Sequence, residues 1–155
     1  MQTNKDIDAA QLADDYRRYP IDDHGKLRYQ YAKVTASGAL AANGTMGLFW
    51  LPPGRKRILP HLSRITTSAF GAGRTLDIGH DEYMKRPAGN DPEAADPDAL
   101  VDGLDVSSAV TADPLGTALK FDMYSLDETL IYATVLGGTM PDAGTVEVLL
   151  AYLYE

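Results

Sequence analysis

Three histidines, His24, His61 and His80, are the side chains here best suited to metal or proton-transfer chemistry, but they stand far apart and match no metal-ligand spacing. Each reads as an ordinary surface or strand histidine, and no metal site is expected. A serine nucleophile would need a Gly-x-Ser-x-Gly elbow, which the chain lacks. Gly71-Ala72-Gly73-Arg74-Thr75 has the glycines of a phosphate loop without its Gly-Lys-Ser/Thr ending. A strand pattern follows it where a helix N-terminus would be needed, so it reads as a turn between strands. Asp91, Glu93, Asp96 and Asp98 bring four hard oxygen donors close together, as calcium would require. Their spacing departs from the EF-hand loop and the intervening prolines stiffen it, which favours a solvated acidic stretch. A carboxylate pair for glycoside hydrolysis is set by the fold, and nothing singles out two of the 22 acids. The absence of cysteine excludes disulfides, thiolate metal sites and cysteine nucleophiles. The expectation is a non-enzymatic protein with no catalytic residue and no cofactor.

The elements that would hold any site are strands. Leu27-Arg28-Tyr29-Gln30-Tyr31 alternates large apolar and polar residues and continues to Val34. Gly44–Leu51 is a second run, in which alternation would put Met46, Leu48 and Trp50 on one core-facing side. Arg57–Ser68 is a longer strand, bent or broken near Pro60 because proline removes a ladder donor. Further runs cover Thr75–His80, Asp105–Ala109, Thr117–Met123, Thr129–Leu136 and Thr145–Tyr154. No helix-length apolar pattern separates them, which disfavours a parallel α/β sheet. The fold class expected is all-β, an antiparallel β-sandwich or jelly roll of about eight strands, with an N-terminal arm or short helix. The domain plan is an arm at 1–20 and a jelly-roll β-domain at 21–155. An acidic loop is placed at 81–104, with seven acids and three prolines.

In a chain of 155 residues with net charge −8, residues 1–80 hold 11 Lys/Arg against 7 Asp/Glu, and residues 81–155 hold 3 against 15. An acidic protein gains nothing from the counterion release that drives nucleic-acid binding, so no nucleic-acid partner is expected. No run approaches the ~20 apolar residues of a membrane span, so no membrane partner is expected either. The N-terminus is acidic and polar, unlike a secretory leader. A bipolar chain can dock its basic side on an acidic protein or on its own acidic side in another copy.

Two stretches ask for a covering surface. In the last strand, Val146, Val148, Leu150, Tyr152 and Tyr154 share one face while Leu149, Ala151 and Leu153 share the other. The second apolar face would be covered by a neighbouring subunit or by the N-terminal arm. In the arm, Ile7, Leu12 and Tyr16 form an apolar stripe beside Arg17 and Arg18. Burying three such side chains contributes about 1.5–3 kcal/mol each, whereas fixing roughly ten residues of backbone costs about 1–2 kcal/mol apiece. The arm is therefore expected to order on a partner. Ile7, Leu12, Tyr16, Arg17, Arg18, Leu149 and Leu153 are the candidate interface residues.

Three segments carry a family resemblance: Leu51-Pro-Pro-Gly-Arg-Lys-Arg-Ile58, Phe70-Gly-Ala-Gly-Arg-Thr-Leu-Asp-Ile-Gly79 and Gly137-Gly-Thr-Met-Pro-Asp-Ala-Gly-Thr-Val-Glu-Val148. Together they resemble the jelly-roll head decoration, or cement, proteins of tailed bacteriophages. The resemblance spans roughly residues 27–154, and its motifs define turns and packing without identifying a catalytic group. It implies a virion structural protein made in the host cytoplasm and added to the capsid exterior. There it would bind the major capsid protein and itself, as a homotrimer or homodimer. The other readings are a head–tail joining, tail or fibre component, a glycan-binding jelly-roll module, and a small cupin-type jelly-roll enzyme, which would need clustered His and carboxylate ligands that the sequence does not show. An exposed Trp50 would favour the glycan-binding module, since aromatic rings stack on sugars.

Overall fold

The computed structural model describes residues 26–85, 92–114 and 122–154. The arm at 1–20 lies outside them, as do His24 and Asp91. The strands in chain order are β1 (Lys26–Thr35), β2 (Thr45–Leu51), β3 (Gly54–Ile58), β4 (Arg64–Thr67), β5 (Thr75–His80) and β6 (Tyr83–Met84). They continue as β7 (Pro92–Glu93), β8 (Asp96–Asp105), β9 (Val110–Pro114), β10 (Asp122–Ser125), β11 (Thr129–Leu136) and β12 (Thr145–Tyr154).

β12 organises the first sheet. One of its edges pairs with all of β1, from Lys26 opposite Tyr154 to Thr35 opposite Thr145. The other pairs with β3 near its end and with β4 nearer its start. β10 then pairs with β3, and β9 with β4. The second sheet has the order β2-β11-β5-β8, and β6 and β7 form a separate two-stranded ribbon. With β3/β4 and β9/β10 each taken as one row, both sheets are antiparallel and four rows wide, the layout of a jelly-roll sandwich. The all-β expectation holds.

The break near Pro60 is a 3-10 turn at Pro60–Leu62 between β3 and β4. The Leu59 N–H still donates to Ala151 O at 2.9 Å. Ser63 replaces the lost ladder partner: its hydroxyl accepts from Ala151 N–H at 3.0 Å and donates to Leu59 O at 2.9 Å. A buried hydroxyl thus keeps a buried N–H paired where the row bulges.

Three expectations need correcting, the first being the strand over Asp105–Ala109, where residues 106–109 are the connection between β8 and β9. Asp96–Leu104, placed in the acidic loop, belongs to the ten-residue strand Asp96–Asp105, with Ala99, Leu100 and Val101 buried. As the last row of its sheet it pairs, among the described residues, with β5 alone, and Asp98 and Asp102 are exposed on it. Trp50, expected in the core, is 55% exposed. Opposite β11 the register runs Ile131 to Phe49 and then Tyr132 to Gly47, so Leu48 is an extra residue. That bulge reverses the phase, turning Met46, Phe49 and Leu51 inward and Trp50 outward.

Inside, one apolar cluster spans both sheets, with Leu51, Ile58, Ile65, Leu76, Ile78, Ile131 and Leu150 almost fully enclosed.

Candidate interaction faces

Directly opposed residues of an antiparallel pair share a face. On the outer side of the first sheet, Leu27 is paired with Leu153, Tyr29 with Ala151 and Tyr31 with Leu149. Leu27, Tyr29 and Tyr31 are 46%, 54% and 56% exposed, and Leu149 and Leu153 are half-buried. Within the described part of the chain, the two-sided apolar pattern of β12 is thus matched by a second apolar strand. The adjoining row brings Arg57 beside Leu153 and Arg64 beside Leu149. Arg64 donates at 2.7 Å to the carbonyls of His61 and Ser63. Asp122 lies 3.1 Å from Arg57 and 3.6 Å from Arg55, and Glu147 lies 3.6 Å from Lys33.

The outer side of the second sheet is different. Its strands carry Asp77, Asp96, Asp98, Asp102 and Asp105 and no lysine or arginine. Trp50 sits opposite Leu130, and a shallow hollow of about 250 Å³ is lined by Thr45, Gly47, Asp81, Leu130 and Tyr132. Burial, then the charges of Asp81, Asp96 and Asp98, raise the Tyr132 phenol above its usual pKa. A hydrogen bond with Asp96 raises the Asp98 carboxyl. Glu93 of the proposed acidic set pairs with Lys85. Among the described residues no group of three or more His, Asp or Glu is arranged to hold a metal ion.

The remaining sequence candidates are dispersed. His61 is exposed in the 3-10 turn. His80 is buried, its Nδ1 lying 2.9 Å from Asp81 O and its ring edge-on to Tyr83 at 5.1 Å. Gly71–Arg74 is a turn leading into β5.

Sequence reading missed one pair. Lys56 is fully enclosed, and its Nζ donates to Ser125 Oγ at 2.8 Å and to Gly54 O at 2.9 Å. Burial lowers its pKa from 10.5 to about 8, against the opposing pull of Asp127. Arg55 and Arg57 point outward and Ile58 inward, so strand alternation already placed Lys56 on the core side. A lysine poised beside a serine has the composition of a nucleophile–base pair. Ser125 is only 1% exposed, and the pair joins β3 to β10.

No family model matches the chain, and no curated protein matches it in sequence. Its fold is similar to chains in two solved virus structures. One is a chain of the cyanophage Pam1 capsid asymmetric unit, at TM-score 0.61 and 19% identity over 85% of this chain and 87% of that one. The other is a chain of the capsid of Ralstonia phage GP4, at TM-score 0.61 and 17% identity over 92% and 94%. This chain has the antiparallel sandwich fold found in those two phage capsid structures.

Proposed function

We propose that the protein is a virion structural component that binds the outside of a phage capsid as a decoration or cement protein, stabilising the major capsid lattice. The observation that carries this reading is the outer face of the first sheet. Leu27, Tyr29, Tyr31, Leu149 and Leu153 form an apolar patch bordered by Arg57 and Arg64, on a sandwich whose core is already complete. Contiguous exposed apolar surface rimmed by charge marks a docking site, and its basic rim fits an acidic protein surface. The fold similarity to chains in phage capsids supplies the setting.

Residues 1–20 serve as the anchor in this reading. They lead into β1 beside the patch, so Ile7, Leu12, Tyr16, Arg17 and Arg18 would extend the same contact along the capsid. Many copies ordering together on a lattice offset the entropy that an isolated arm cannot recover. Purified virions test the assignment: decoration requires copies in the hundreds, whereas about a dozen would identify a joining or tail part. Deleting residues 1–20 should leave the β-domain folded with a similar Tm and weaken its retention on capsids.

The exposed Trp50 favours a second reading, glycan binding on the opposite face. Tyr132 and Asp81 line one hollow with Leu130, and the exposed Trp50 is the cross-strand partner of Leu130, so stacking surfaces and a carboxylate acceptor lie on the same side. The two faces can serve both roles, with the aromatic-basic side inward and the acidic side outward.

A further inference from the structure

β1 is the first row of its sheet: all ten of its residues pair with β12, and among the described residues no strand pairs with its other edge. A long edge with unpaired backbone groups is a template for another strand. Its exposed apolar residues are Leu27, Tyr29 and Tyr31, and its charged residues, Lys26, Arg28 and Lys33, are all positive.

We propose that two copies of this chain pair β1 to β1, antiparallel about a two-fold axis through Gln30, to make one continuous sheet. An axis normal to the sheet keeps both outer faces on the same side, so odd-numbered residues must oppose odd-numbered ones. Centred on Gln30, Tyr29 faces Tyr31, Arg28 faces Ala32, Leu27 faces Lys33 and Lys26 faces Val34. No basic side chain opposes another, and the aromatic pair occurs twice by symmetry. Centring between Gln30 and Tyr31 would set Arg28 against Lys33 and turn one outer face inward. The Gln30 centre also pairs nine of the ten β1 residues and makes the Tyr29–Tyr31 contact twice, whereas centring on Tyr29 or Tyr31 makes a single Tyr–Tyr contact. Pairing would lay the two patches of Leu27, Tyr29, Tyr31, Leu149 and Leu153 side by side. In this way it deepens the docking reading by giving the unit that docks, although the pairing itself needs no capsid.

The lack of cysteine makes single-cysteine variants of the full chain direct reporters. Across an antiparallel pair, opposed Cα atoms lie about 4.5–5.5 Å apart, within disulfide reach. Light scattering at micromolar concentration should give twice the 16.8 kDa chain mass. Oxidation of Gln30→Cys should yield a covalent dimer about tenfold faster than Leu126→Cys, since pairing raises the effective concentration of the thiols. Gln30→Lys should leave monomers, and mixing it with Gln30→Glu should restore the pair. The charge-reversed face variant Arg57→Glu/Arg64→Glu should still pair, which separates failure here from failure of capsid docking. A strictly monomeric full chain, or equal cross-linking at both cysteine positions, would overturn the proposal. So would faster cross-linking through Tyr31→Cys, which would place the axis elsewhere. Dimers seen only after removal of residues 1–20 would show that the chain's own segment occupies the edge, and would also sink it.

Discussion

The two outer faces of this sandwich solve opposite problems with the same strand geometry. The first sheet's strands hold Lys26, Arg28, Lys33, Arg55, Lys56, Arg57 and Arg64, and its outer side adds exposed tyrosines and leucines. The second sheet's strands hold five aspartates and no lysine or arginine, with Trp50 as its exposed aromatic. A sandwich requires only its inner faces to be apolar. Folding therefore does not require exposed Tyr29 and Tyr31 on one side, or clustered aspartates on the other. The difference teaches that polarity along the chain has become polarity across the molecule, with each face suited to a different neighbour.

Reversing the basic rim should have the largest effect. Arg57→Glu/Arg64→Glu is expected to lower retention on purified capsids by more than about tenfold, with a matching weakening of the wild type in high salt. Trp50→Ala on the opposite face should leave retention unchanged while removing any glycan binding measured on an array. Equal loss from both variants would mean that the faces are not specialised.

The basic excess of the first sheet reaches its core in Lys56, and this predicts an effect of pH. Below pH 8 the amine is protonated in both folded and unfolded chains. Between about 8 and 10.5 the unfolded chain holds a proton that the folded chain lacks. Stability from this group therefore rises with pH across that window, by up to about 3 kcal/mol at roughly 1.4 kcal/mol per pKa unit. Denaturant midpoints of wild type against Lys56→Met isolate the effect from other groups, and parallel profiles for the two would refute it.

A smaller change sharpens how each sheet handles its irregularities. The second sheet absorbs an extra residue as a bulge at Leu48, whereas the first mends its broken row with the Ser63 hydroxyl. Ser63→Ala strands the Ala151 N–H and should cost about 1–2 kcal/mol of unfolding free energy. Ser63→Thr should recover part of the loss if the hydroxyl is the cause.

β5, β11 and β12 were legible to the residue in the sequence, because alternation with clear turn signals specifies a half-buried strand without help from its neighbours. The break at Pro60 was legible too, since a missing N–H acts locally. β8 was not, because aspartates and proline read as loop until the strand is seen at a sheet edge with one side in water. Trp50 was misplaced because a one-residue bulge reverses the phase of everything beyond it, and the partner strand decides where the bulge falls. Leu149 and Leu153 stood out in sequence as a second apolar face, and the structure answers them with Leu27 and Tyr31 on the neighbouring strand. By itself, then, the sequence determined the strand-rich class, the absence of thiol chemistry and the uneven charge. Only the tertiary structure decided which residues became neighbours, because cross-strand pairing joins positions more than a hundred residues apart, and no local pattern encodes the partner.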